Sequence, residues 1–306
     1  MAPRLTGLSL MLFFGCLFLT ELCLAHPPSG VVIGKNGHVF FLYHGLVGID
    51  SSGKMATIQE DSGGHWLAVN TDGDFSKMPS AYKQVSSDGT TMIYGDGAPL
   101  TIGAEGHLYY ATSGSQEESL PTGALAIARV SHSGQPALFS PLLKEKLAEL
   151  KDGVTGLASG RNGSIYVATW KGMIELNSDG SIARIVYPVA VQDCDSDPAD
   201  HNPINSGLPL LRGLGVDSAG NVYVAATSCH RVLQITPAGQ VTSILRSERP
   251  WSPTGVAVKG DEIYVLEYTN ANGPRTEGWF PRVRKRDKHG TWSTLLEVPP
   301  QATSHK

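Results

Sequence analysis

Charge is scarce in this sequence, and what there is nearly cancels. Only 17% of the 306 residues are Asp, Glu, Lys or Arg, and the formal charge is −4. No basic stripe runs along any segment, which argues against nucleic acid as a partner. The single basic run (Arg282, Arg284, Lys285, Arg286, Lys288) alternates with Val283 and Asp287. It reads as the wet face of a strand, with a polyanion site as the alternative. Helical periodicity is nearly missing as well: Pro141 to Leu150 is the one good amphipathic stretch, expected to link two repeat units. No G-x-S-x-G elbow, H-E-x-x-H pair or phosphate loop occurs, so those chemistries lack their sequence signatures. What is present is apolar material: 41% hydrophobic residues over this length can build a sizeable core and exclude disorder.

Cysteine is also rare, with four in the chain. Two of them sit in a leader-like segment. Arg4 supplies positive charge, residues 8–20 are nearly all apolar, and Cys23-Leu24-Ala25 precedes His26-Pro27-Pro28. That pattern matches a secretory signal over 1–25 cleaved after Ala25, leaving 26–306 as one mature domain. A retained anchor is the alternative, because the apolar stretch approaches the lower limit of a membrane span. Cys16 follows Phe-Phe-Gly and makes a poor lipoprotein site. The expected location is extracytoplasmic, secreted or periplasmic, with no membrane contact beyond the leader and a monomeric mature chain. The two remaining cysteines, Cys194 and Cys229, would then meet in an oxidising compartment and form a disulfide; two buried free thiols are the alternative.

The mature sequence repeats one pattern. GVVIGKNGHVFFLYH (30–44), LTIGAEGHLYYATS (100–113), GLASGRNGSIYVAT (156–169), GLGVDSAGNVYVAAT (213–227) and GVAVKGDEIYVLEYT (255–269) each read as apolar strand, Gly-rich turn, and second strand rich in Val, Ile and Tyr. Each is followed by a second hairpin turn, at DSSGK (50–54), HSGQ (132–135), NSDGS (177–181), TPAGQ (236–240) and DKHGT (287–291); SSDGT (86–90) is a sixth. The first hairpin missing before SSDGT is expected at GHWLAVNTDGDF (64–75). Six units give about 47 residues each, the period of a propeller blade. The predicted fold is therefore all-β: a six-bladed β-propeller of four-stranded antiparallel blades. The first blade is expected at 31–36, 38–44, 47–50 and 54–58. Each blade is expected to be contiguous, with the ring closed by packing of the first against the sixth.

The segments LRGLGVDSAGNVYVAATSCHRVLQITPAGQVTSIL and SPTGVAVKGDEIYVLEYTN resemble NHL repeats. The mature chain as a whole resembles the NHL, SMP-30/gluconolactonase and strictosidine-synthase-like group of six-bladed propellers. Such a fold sorts residues by face without further information. Inner strands start at a front face, the links between second and third strands return there, and the tight Gly turns lie at the back. The long links 113–123, 187–210 and 269–281 all fall at the front, where long links are commonly functional. His65, Thr155, Arg212 and Thr254 begin inner strands, and His44, Trp170, His230, Glu267 and Tyr268 end second strands. These nine are the candidate binding residues of the channel mouth, where His, Arg and a carboxylate could hold an anion or move a proton.

Two further patterns concern ions and modification. Asp193, Asp195 and Asp197 stand like the first three ligands of a calcium loop, but Pro198 and Ile204 occupy the glycine and glutamate positions. Asn162-Gly163-Ser164 is a glycosylation sequon in a eukaryotic host. The resemblance implies a divalent cation, calcium or magnesium, held in the channel of the lactonases by Glu, Asn and Asp from inner strands. Here those strands begin at Ser29, His65, Leu100, Thr155, Arg212 and Thr254, and none offers a carboxylate. Two functions follow: a secreted propeller that binds a small molecule or partner protein at its mouth, or a metal-dependent lactonase-like hydrolase working in the same channel. Convergence of His65, Arg212, His230 and Glu267 would favour the second.

Overall fold

The computed structural model describes residues 27–60, 64–70, 75, 82–113, 125–131, 134, 136–140, 153–192, 194, 208–269 and 278–299. Among the described residues, twenty-three strands form six sheets. The first blade is β1 (Val31–Ile33), β2 (Val39–Leu42), β3 (Gly45–Ile49) and β4 (Met55–Glu60). The second is β5 (Trp66–Asn70), β6 (Tyr82–Ser87) and β7 (Thr90–Gly95). The third is β8 (Leu100–Ile102), β9 (Leu108–Ser113), β10 (Leu125–Val130) and β11 (Pro136–Leu138). The fourth is β12 (Val154–Ser159), β13 (Ile165–Thr169), β14 (Met173–Leu176) and β15 (Ile182–Val186). The fifth is β16 (Leu211–Val216), β17 (Val222–Ala226), β18 (Arg231–Ile235) and β19 (Val241–Arg246). The sixth is β20 (Trp251–Lys259), β21 (Glu262–Thr269), β22 (Pro281–Arg286) and β23 (Trp292–Glu297).

Five blades are consecutive antiparallel meanders, as the repeats predict. The second departs. Of the hairpin expected at 64–75, residues 71–74 lie outside the described residues; Trp66–Asn70 pairs with Thr90–Gly95, and Tyr82–Ser87 lies outside it. The SSDGT turn therefore joins the outer strand to the middle one, and this sheet has three strands among the described residues. The helix expected at 141–150 lies outside the described residues.

Six buried clusters hold the ring, one between each pair of neighbouring blades. In Val39-Phe40-Phe41-Leu42, Phe40 and Leu42 pack with Met92 and Tyr94 of the second blade. Phe41, between them, packs with Tyr264 and Leu266 of the sixth. Successive side chains on a strand point to opposite faces, and here both faces are covered, so the strand reads as an unbroken apolar run. The cluster that joins Phe41 and Ile49 to Leu266 and Tyr268 closes the ring. Tyr268 adds a hydrogen bond from its hydroxyl to the carbonyl of Leu42. Closure by packing of contiguous blades is thus what the structure shows. The Gly turns behave as read: at Asp217–Asn221 the Gly220 N–H donates to the Asp217 carbonyl at 3.2 Å, with φ of +81° at Gly220, a conformation open to glycine.

The inner strands converge toward the front. A methyl on Gly255 would stand 2.3 Å from the Ser29 carbonyl oxygen, and one on Gly213 would stand 2.7 Å from the Gly255 Cα. Gly156 and Gly30 are as close to Arg212 and Leu67. Neighbouring backbones therefore touch at the front end of the channel, which narrows there to about 40 Å³, and it widens to about 550 Å³ toward the tight turns. Gly255→Ala is expected to destabilise the fold by about 1–3 kcal/mol, since backbone must move to admit the methyl. Gly153→Ala meets nothing within 4 Å and serves as the neutral control in a thermal melt.

Candidate functional site

Pro27 and Pro28 are anchored at the front mouth, with the Arg212 guanidinium donating to the Pro27 carbonyl at 2.5 Å and the Thr254 hydroxyl donating to the Pro28 carbonyl at 2.8 Å. The N–H groups of Ser29 and Gly30 both donate to the carbonyl of His65 at 2.9 Å. Arg212 is buried, and desolvation pulls its pKa down to about 9. Two residues expected to greet a ligand, Arg212 and Thr254, hydrogen-bond instead to the backbone of Pro27 and Pro28.

Three more of the expected mouth residues face inward. Glu267 is fully buried; it accepts from Arg282 Nε at 2.7 Å and from the Ser247 hydroxyl. Arg282 also bridges Glu248, and its guanidinium lies 4.4 Å from the centre of the Trp251 ring. Tyr268 is fully buried, and desolvation raises its pKa far above the ordinary tyrosine value. His230 is buried, with Nδ1 2.8 Å from the Trp251 carbonyl and 2.8 Å from the Ser252 hydroxyl. A carbonyl can only accept, so the ring carries its hydrogen on Nδ1. This network joins the fifth and sixth blades below the mouth.

What stays accessible at the front is a looser set. His44 is exposed, Trp170 is half-buried, and His65 pairs through Nδ1 with the largely exposed Asp96. Thr155 is half-buried with its hydroxyl oxygen inside the fold. His65, Arg212, His230 and Glu267 have separate partners: Asp96, Pro27, Trp251 with Ser252, and Arg282 with Ser247. Asp193, Asp195 and Asp197 lie outside the described residues. The expected disulfide is present: Cys194 and Cys229 are bonded, with Cα atoms 4.7 Å apart.

Sequence reasoning missed the close approach of the inner strands, although its trace was in the repeats. Four of the five repeat segments quoted above begin with glycine (Gly30, Gly156, Gly213 and Gly255), each one residue after the start of an inner strand at Ser29, Thr155, Arg212 or Thr254. Read only as strand openers, these glycines hid the close approach of neighbouring strands. It also missed a set of hydroxyls. Thr112 and Thr155 sit at the front ends of β9 and β12, Ser29 just before β1 and Ser228 in the 3-10 turn after β17, and their hydroxyl oxygens are buried without a hydrogen-bond partner among the described residues. Such groups each cost about 1–3 kcal/mol when left unmatched.

Among the described residues, a divalent cation finds no ligand set: the inner strands bring hydroxyls and an arginine, Glu267 is taken by Arg282 and Ser247, and no group of three metal-ligating side chains exists. Hard cations need several oxygen ligands.

Ring closure, six blades and a narrow axial channel define a six-bladed β-propeller. Solved propellers superpose on it over most of its length. Streptogramin B lyase matches with a TM-score of 0.53 at 13% identity, over 90% of this chain and 85% of that one. The PQQ-bound aldose sugar dehydrogenase of Streptomyces coelicolor matches with 0.52 at 14% identity, over 85% and 94%. A gluconolactonase of Xanthomonas campestris matches with 0.52 at 13% identity, over 79% and 83%. These are six-bladed propellers of the group that the repeats resemble, and the likeness is one of fold. No protein-family model matches the sequence, and no curated protein does.

Proposed function

We propose that the protein is an extracytoplasmic binding propeller that holds a small molecule or partner protein at its front mouth, and that it does not work as a metal-dependent lactonase. The observation that carries this reading is the hydroxyl set at the front ends of the strands. The hydroxyls of Ser29, Thr112, Thr155 and Ser228 lie buried beneath the face where the sequence places the long links, with hydrogen-bonding capacity left unused. Two of the groups that hydrolysis could use are engaged elsewhere, Glu267 with Arg282 and His230 with Trp251 and Ser252. Fold alone leaves this question open, because sites are grafted onto propellers in many ways.

The test is a thermal-shift screen of the mature protein against sugar acids and small dicarboxylates, run beside elemental analysis after dialysis against calcium, magnesium, zinc and manganese. The expected result is an ion-free protein stabilised by at least one small polar ligand, with affinity reduced about 3–10-fold by Thr155→Val, the loss of one hydrogen bond. One tightly held divalent ion per chain together with lactone turnover would replace the binding reading with the hydrolase.

A further inference from the structure

The wide half of the channel is unlike the mouth. It spans about 550 Å³, within the range of small-molecule pockets. Its walls come from all six inner strands, and the side chains along them are almost entirely Val, Ile, Leu and Ala, with Thr101 and Ser159 as the hydroxyls. Ser159 is already satisfied, donating to the Ile102 carbonyl at 2.7 Å. The glycine convergence narrows the far end, and the cavity is widest toward the tight-turn face. Both charged residues that line it are lysines, Lys35 and Lys259, and both stand at that entrance. Lys259 is held in place by donating from Nζ to the Gly34 carbonyl at 2.7 Å. The Asp217 carboxylate, one residue beyond the lining strand β16, is committed to its own turn, accepting from Ala219, Asn221 and Tyr223.

We propose that this half of the channel is a second binding site, for an anion with a slender apolar body such as a medium-chain carboxylate. The apolar walls take the chain, and the two lysines take the charged end at the rim. The inner strands are the free edges of their sheets, so peptide groups along the wall can also pair with a polar atom in the ligand. The site lies on the opposite face from the proposed mouth and stands or falls independently of it.

Isothermal titration of the mature protein with decanoate, below its micelle concentration, tests this. Decanoate is expected to bind with a stoichiometry of about one. Decyltrimethylammonium, of equal chain length and opposite charge, is expected to bind at least tenfold more weakly. The double variant Lys35→Glu/Lys259→Glu changes only surface positions and should weaken decanoate at least tenfold while narrowing the gap between the two probes. Val69→Trp, which narrows the channel, should abolish binding without touching the rim charges, with its fold checked by thermal melt. No saturable binding of decanoate, equal binding of the cation, or indifference to the lysine exchange would each overturn the proposal.

Discussion

Glu267→Ala is expected to lower the stability of the propeller by about 3 kcal/mol, near the bottom of the range for breaking a buried ion pair. The size follows from what is left behind. Arg282 keeps only 5% of its side chain exposed, so removing the carboxylate strands a guanidinium in the interior. The Ser247 hydroxyl loses its acceptor at the same time. The cost stays at the lower end because Arg282 retains Glu248 and the face of Trp251. Glu248→Ala removes the other partner, whose side chain is 63% exposed, and is expected to cost under about 1 kcal/mol. Chemical denaturation of both variants measures the contrast. If Glu267→Ala unfolds like the parent yet loses ligand binding or turnover, Glu267 belongs to a functional site and its structural assignment is wrong.

That contrast also shows how far the sequence could be read. The blades were legible because each repeats a local grammar: a turn glycine at positive φ, such as Gly220 or Gly239, between runs that alternate toward two buried faces. Local rules of this kind need no knowledge of the neighbouring blade. Which face a polar residue meets does depend on the neighbour. Glu267 and Tyr268 end a second strand, as read, but the partners that bury them come from β22 and from the first blade. Arg212 begins an inner strand, as read, and its partner Pro27 lies 185 positions earlier in the chain. The second blade failed for a related reason. Its inner strand at Trp66–Asn70 and the SSDGT turn are both present, but pairing skips a strand, and no turn signal encodes that choice.

The disulfide was legible from counting, and its removal is the other change expected to have a large effect. Cys194 lies on the link between the fourth and fifth blades, and Cys229 lies just beyond β17, 35 residues later. On the chain-entropy model, closing a loop of that length stabilises the fold by roughly 3–4 kcal/mol. Cys194→Ala/Cys229→Ala should therefore lower the melting temperature by on the order of 10 °C, at about 2–4 °C per kcal/mol for a domain of this size. Cys229 is also part of the buried cluster with Leu211, Ala226 and Leu233, so some of that loss is packing. Melting the parent protein under reducing conditions separates the two, because reduction opens the loop and leaves both sulfur atoms in place. A reduced parent that melts with the alanine variant assigns the stabilisation to the cross-link. A reduced parent that melts with the oxidised one assigns it to packing, and the link between the blades is then held by its other contacts.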